Sequence, residues 1–560
     1  MAKTFLSNHR VSITPLSPIH IGSGLTYEPT NYVIDEERGF LYGFDPLDTV
    51  LRPDEFEALN RVARSADFKK INRFYDAHCD VFRPWARSIL PLSSNAIEKY
   101  RKMLNAKGNE KNTAFDVFRT QSVSVVGTPV PYMPGSSIKG AIVTALLNRL
   151  NQDKEIPEES YLDRYKKSLM DPYNHLGRDI PGKLLGPDFS LYPSRLVKVG
   201  DFQTVEAKTR ILFSRRFFKD DHASDAFFGA FESVIPGQYR AFEGELTLNF
   251  NDHLIKYGNG RYGEERKGKI KNSYKTAEDI FKDVHAYAYE RWFDDQGLYA
   301  HFSPEWTQQM VDLFEALEPM FETGRMALIR LGQNTGAESK TLHGLNQPRI
   351  CITHKPSKVK RKPEVLDHST TLWLTDEVHP DLNGLSYGWA LCELDPQEDS
   401  VALEAWCSKT YSRWLNAHPG GTVSDEWDRI LEERREKLKL REVLKAEAEA
   451  RRLAEEEARQ AAAKAEAEKQ AELAAMTPER RAAIELCEAI EGTKGTIANV
   501  NDPIFLRTKK LLAEAVDWTD DQVKLEFAQR LQPLLKAKDM YQGKAAKIFK
   551  QQLKILRGEA

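Results

Sequence analysis

The sequence predicts an α/β or α+β body followed by a purely helical region, and two observations carry that reading. Residues 1 to about 396 mix short alternating apolar runs, glycine and proline punctuation, and separate helical stretches. From Ser424 to Met476 the composition collapses into Glu, Lys, Arg and Ala, with no Gly or Pro. At 560 residues the chain is several times longer than one core of roughly 100 to 200 residues, so more than one structural unit is expected. The expected plan is a body over 1–396, a helical connector and turn over 397–423, a long charged helix over 424–476 and a small helical unit over 477–560.

Hydrophobic residues make up 41% and charged residues 29% of the chain, the range of ordinary soluble proteins. No apolar run approaches the roughly 20 residues a bilayer requires, and the polar start lacks a signal-peptide core, so a cytoplasmic location is expected. Cys79, Cys351, Cys392, Cys407 and Cys487 form no CxxC pair, which argues against a zinc ribbon or a disulfide framework. Carboxylates such as Asp35 and Asp45 are dispersed, so neither a metal site nor a cofactor is expected. The formal net charge is only −3, and any nucleic-acid site must therefore be local.

Three stretches of the body carry candidate chemistry. The first runs from Arg10 to Gly24 and ends in a turn containing His20, Gly22, Ser23 and Gly24, where backbone can approach a phosphate or base. His20 is a candidate general acid or base, or a stacking ring, although a lone histidine beside a turn is more often structural. The second, Val130 to Leu147, has a Pro-Gly turn leading through Gly135, Ser136 and Ser137 into a helix of apolar period. Ser136 or Ser137 is the expected cap, and Lys139 in the first turn makes the helix start a candidate phosphate cradle. The third, Arg325 to Gly344, is a strand entering a loop with Gly332, Gly336, Ser339, Lys340 and His343. Its spacing does not match a Walker loop, so nucleotide hydrolysis is not supported.

Two further segments interleave or cluster cations. Lys256 to Lys275 includes Lys256, Tyr257, Arg261, Tyr262, Arg266, Lys267, Lys269, Lys271 and Tyr274, and a second basic run covers Lys355 to Lys362. Aromatics among cations suit stacking plus backbone neutralisation of single strands, against the alternative of a solvated loop.

In order and composition, the three glycine-bearing stretches resemble the RAMP superfamily of CRISPR proteins. The resemblance rests on Pro18-Ile-His-Ile-Gly-Ser-Gly24, Pro134-Gly-Ser-Ser-Ile-Lys-Gly140 and the later glycine-rich loop. Thr30 to Asp35, Arg330-Leu-Gly332 and Ser386 to Ala390 point within it to the fifth-subunit family of the type III-A (Csm) complex. Val143 departs from the pattern, since an arginine often stands there. The likeness covers about residues 8 to 396. It implies an α+β, RRM-like (ferredoxin-like) core with insertions, contacts to guide RNA near its 3′ end, and a place capping the row of repeated backbone subunits. Target RNA would be met through the guide, target cleavage would belong to other subunits, and guide maturation would involve host nucleases.

Two rival readings stand beside this one. A repeat-processing endoribonuclease would use His20 with Lys340 or His343 at one phosphate. A scaffold would recruit a partner through the helical tail. In that tail Ser424 is the expected first cap of a helix about 75 Å long, seated by Leu431, Leu438 and Leu444. Thr477, Asp502 and Thr519 mark later helix starts, and the final helix, with Lys544, Lys547, Lys550 and Lys554, is basic.

Overall fold

The computed structural model describes residues 5–65, 67–105, 115–125, 127–152, 180–204, 207–250, 255–259, 265–343, 350–352, 364–366, 368–416, 418, 421–541 and 543–559. They form two compact units, Met1–Leu440 and Arg441–Ala560.

The first unit is α+β with an RRM-like core. Its central strand β1 (Leu6–Pro15) pairs antiparallel on one side with β13 (Phe242–Asn249) and on the other with β20 (Trp389–Leu394). Strand β16 (Met326–Arg330) extends the sheet beyond β20, while β9 (Val197–Val199) and β10 (Gln203–Thr204) pair with β13. Val11 and Ile13 of β1, with Phe242 and Leu246 of β13, face the helices α5 (Gly135–Asn151) and α6 (Ala277–Phe302). Ile138, Ile142, Ala145 and Leu146 give α5 one apolar stripe at helical spacing, and that stripe is what lies on the sheet. On the other face, Met326, Leu328, Trp389 and Leu391 pack against α7 (Pro304–Thr323) and α8 (Val401–Asn416) through Met310, Leu313, Leu403 and Trp406. Cover on both faces explains why all six residues of β20 are buried and apolar alternation is lost there.

A second sheet has the order β19 (Thr371–Thr375), β11 (Thr209–Phe218), β12 (Ser224–Val234), β6 (Val117–Thr120) and β2 (Gly22–Tyr27). A third joins β3 (Tyr32–Asp35), β4 (Phe40–Phe44) and β5 (Ala86–Pro91). Its two faces are distinct. Ile34 and Leu41 meet α4 (Ser94–Asn105), whereas Val33, Phe40 and Tyr42 meet α1 (Pro53–Arg64), α2 (Phe68–Ala77) and α3 (Cys79–Phe82). Short hairpins β7 (Ser122–Val125) with β8 (Thr128–Pro131), β14 (Ile255–Asn259) with β15 (Glu265–Gly268), and β17 (Ile350–Ile352) with β18 (Glu364–Leu366) complete the strands.

The long helix α9 (Val423–Ala475) is present, but its start differs from the sequence expectation. Thr422, not Ser424, caps it, accepting from the Asp425 amide at 3.1 Å. Leu431 and Leu438 remain 42% and 40% exposed, and the helix is seated instead by Ile430, which is fully buried beside Trp427. Around that anchor, Arg83 donates to both Glu433 oxygens at 3.1 and 2.8 Å, and Arg434 donates to the Pro84 carbonyl at 2.8 Å.

In the second unit, α10 (Pro478–Gly492), α11 (Pro503–Ala515), α12 (Asp521–Ala537) and α13 (Gly543–Leu556) enclose Leu486, Ile490, Phe505, Leu512, Phe527, Leu531, Phe549 and Leu553. Thr477 and Asp502 cap as expected, whereas Asp520 rather than Thr519 caps α12. Lys547, Lys550 and Lys554 are exposed on α13. The described cysteines Cys79, Cys392, Cys407 and Cys487 are free thiols.

Candidate nucleic-acid interface

The three glycine-bearing stretches are hydrogen-bonded to one another. The first and third cross directly: the Gln333 amide donates to the His20 carbonyl at 2.8 Å. A Cβ at Gly332, where φ is +91°, would stand 2.4 Å from that same oxygen, so only glycine lets the two backbones cross here. The Gln333 side chain lies over Gly22. Behind the crossing, Leu331 donates to Gly388 O at 2.8 Å and Gly388 donates to Pro18 O at 2.9 Å.

The second stretch joins at two places. Gln121 donates through its amide to Ile21 O at 2.7 Å and through Nε2 to Gly22 O at 3.2 Å, while its carbonyl accepts from the Tyr132 amide at 3.2 Å. Further along α5, Asn148 Oδ1 accepts from the His343 amide at 2.7 Å, and Asn151 Nδ2 donates to the His343 carbonyl at 2.6 Å. The α5 start corrects the expected cap. Pro134 is the N-cap, Ser136 and Ser137 lie inside the first turn, and the Asp201 carboxylate accepts from the Gly135 amide at 2.8 Å. A Cβ at Gly135 would meet Gly200 O at 2.3 Å, so glycine here lets the helix start sit against the loop that brings Asp201.

His20 is also corrected. Its side chain is fully buried, its ring lies 5.2 Å from Phe231, and Nδ1 donates to Glu232 O at 2.7 Å. Burial lowers its pKa and keeps the ring neutral, so the imidazole is a packing element and does not reach a phosphate as an acid or base. His343 is buried as well, against Tyr287 and the Glu290 carboxylate. Beneath the first turn, burial raises the Glu232 carboxyl to about 7 although it accepts from the Thr120 amide.

Toward solvent the picture is different. Ser136, Gln333 and Lys340 are exposed, and Lys139 is half-buried with Lys198 nearby; burial first and then Lys198 lower the Lys139 pKa. Ser23 Oγ donates to Arg119 O at 3.0 Å, and open space surrounds Gly24. Ser339 Oγ donates to Thr335 Oγ1 at 2.8 Å, and Gly336 keeps a φ of +79° at the loop's bend. Arg330, by contrast, is structural: its guanidinium lies 4.6 Å over the Trp389 ring and donates to Tyr387 O.

The cation segments are only partly described. Lys256 pairs with Lys267 in the β14–β15 register, their side chains lie outside the described residues, and so do Arg261 and Tyr262. Lys269 and Lys271 are exposed, but Tyr274 is buried under Arg149, so it offers no stacking face. Lys355 to Lys362 lie outside the described residues. Among the described residues no three His, Cys, Asp or Glu side chains gather in a metal-binding group, and no helix is long and apolar enough to cross a membrane.

An antiparallel sheet with two helices on one face, joined by interlocked glycine turns, defines a class, and the comparison of sequences names it. The chain belongs to the RAMP superfamily, whose family model matches residues 12–324. No curated protein matches it. Among solved structures it is similar to a chain of a Csm–crRNA–target RNA ternary complex of a type III-A CRISPR–Cas system, at 15% identity and a TM-score of 0.34, over 69% of this chain and 100% of that one. It is also similar to Csm5 of T. onnurineus, at 14% identity and a TM-score of 0.27, over 58% of this chain and 89% of that one.

Sequence reasoning missed Gln121, Asn148 and Asn151, which tie the stretches together, and Asp201, which holds the α5 start. The two asparagines had a usable signal, since amides three apart on the apolar stripe of α5 require buried partners. Gln121 had none.

Proposed function

We propose that this chain is an RNA-binding, non-catalytic component of a type III CRISPR effector complex that holds guide RNA across the interlocked glycine turns. Its partners are the guide, the repeated backbone subunits and, through the guide, target RNA. Its place is the guide's 3′ end, where host nucleases complete maturation. The observation that carries the reading is the crossing of Gly332 over the His20 carbonyl, with Lys139 and Lys340 on the solvent side of the same linked segments. Open backbone beside cations suits a ribose-phosphate chain, which needs neutralisation without base reading. The runner-up, cleavage by His20, loses its acid-base group to burial.

The test is guide-RNA binding by the full chain across a salt series. Changing Lys139 and Lys340 together to alanine is expected to reduce the slope of log affinity against log salt by roughly 1.4, about 0.7 for each single-strand phosphate no longer neutralised. An unchanged slope would remove these turns from the interface.

A further inference from the structure

We infer that a groove beside the first glycine turn binds one nucleotide of a single-stranded RNA through its phosphate and ribose. This rests on the function proposed above and extends it to a second element. The groove, of about 480 Å³, is open to solvent and lies between β2, the β4–β5 pair and the β7–β8 hairpin. Its size matches the general range of small-ligand sites. Its lining is mixed: Leu25, Phe44 and Pro129 give apolar surface, and Arg119, Arg87, Asn31, Ser88, Ser122 and Ser124 bring polar groups beside Tyr27.

Three observations point to an anionic, hydroxyl-bearing ligand. Arg119 holds its guanidinium 4.7 Å over the Tyr27 ring and forms no ion pair with any described carboxylate. Glu232, an acid whose carboxyl Arg119 influences, is raised by burial to about 7 and so is only partly ionised at neutral pH. Arg87, which also lines the groove, is already matched to Asp48 at 2.7 Å and Asp45 at 3.2 Å, so of the two arginines Arg119 is the less compensated. Tyr27 is 4% exposed, and its buried hydroxyl, with Ser88, Arg119 and Glu232 around it, makes no hydrogen bond of good geometry to any described residue. A buried phenol left unsatisfied is costly and marks a place where a partner belongs. Gly43 leaves room for the floor of the groove, since a Cβ there would stand 2.5 Å from Ser88 Oγ and 2.9 Å from the Tyr27 ring.

The position favours RNA over an unrelated anion. Arg119 is on β6, paired with β2, and its carbonyl accepts from Ser23 Oγ of the first glycine turn at 3.0 Å. A strand crossing Gly22 to Gly24 therefore passes directly to Arg119. The guanidinium takes a phosphate, while Tyr27 Oη and the serine hydroxyls take the ribose.

The test measures binding of a labelled single-stranded oligoribonucleotide to the full chain, as wild type, Arg119→Ala, Tyr27→Phe and Lys139→Ala. Uridine 5′-monophosphate serves as competitor. Arg119→Ala is expected to weaken binding about tenfold and lower the salt slope by roughly 0.7, the effect of one charge-assisted phosphate contact. Tyr27→Phe, which keeps the ring and the fold, is expected to weaken it about threefold. Competition by the mononucleotide, abolished in Arg119→Ala, would assign the groove to a free nucleotide as well as to RNA; no competition would assign it to the chain of an RNA. If Lys139→Ala weakens binding while Arg119→Ala and Tyr27→Phe bind as wild type, the groove is overturned and the broader function stands. Weakening by the groove variants alone supports the groove and removes the α5 start from the interface.

Discussion

Gly332→Ala is expected to lower the stability of the first unit by about 3 to 5 kcal/mol in denaturant unfolding, and to abolish guide binding with it. Two costs combine at this residue. An alanine is strained at a φ of +91°, and its Cβ would sit 2.4 Å from the His20 carbonyl. Neither backbone can retreat easily, because Gln333 holds His20 O at 2.8 Å and Gly388 holds Leu331 from the other side. Gly24→Ala is the control. Its φ is also positive, +80°, but nothing lies within 4 Å of the added methyl, so only the conformational cost of about 1 kcal/mol applies. Equal losses of stability at the two positions would show that the crossing does not organise the unit.

The second large effect is expected at the root of the long helix. Glu426 is 1% exposed and accepts from Tyr42 Oη at 2.8 Å and from Arg38 at 3.2 Å, with Arg429 at 2.8 Å on its other oxygen. Glu426→Ala removes the common partner and leaves the Tyr42 hydroxyl buried without it, at a cost of about 2 to 4 kcal/mol. The first turns of α9 should then exchange their amide hydrogens faster, over residues 423–434, while the 477–560 helices keep their protection. Protection unchanged over 423–434 would mean that Ile430 and the Arg83–Glu433 pair hold the helix without Glu426.

Much of the architecture was legible because periodicity is local. The α5 stripe, the charged run of α9 and the caps at Thr477 and Asp502 depend on neighbours a few residues away. What escaped were features set by distant chain. Asp201 meets the α5 start 66 residues downstream of Gly135, a partner no local pattern announces. Likewise, Ile430 and Trp427 were overlooked among more conspicuous leucines, because which side of a charged helix is buried depends on the sheet beneath it. Among site residues, the glycines could be read from their turns. The burial of His20 could not, since Phe231 and Glu232 enclose it from a strand more than 200 residues away.

Photo-crosslinking of the full chain to guide RNA, followed by peptide mapping, tests most directly whether interlocked glycine turns form the RNA surface. Crosslinks should concentrate at residues 20–24, 119–139 and 332–340. A map confined to the C-terminal helices, or scattered with no enrichment at those turns, would contradict the account.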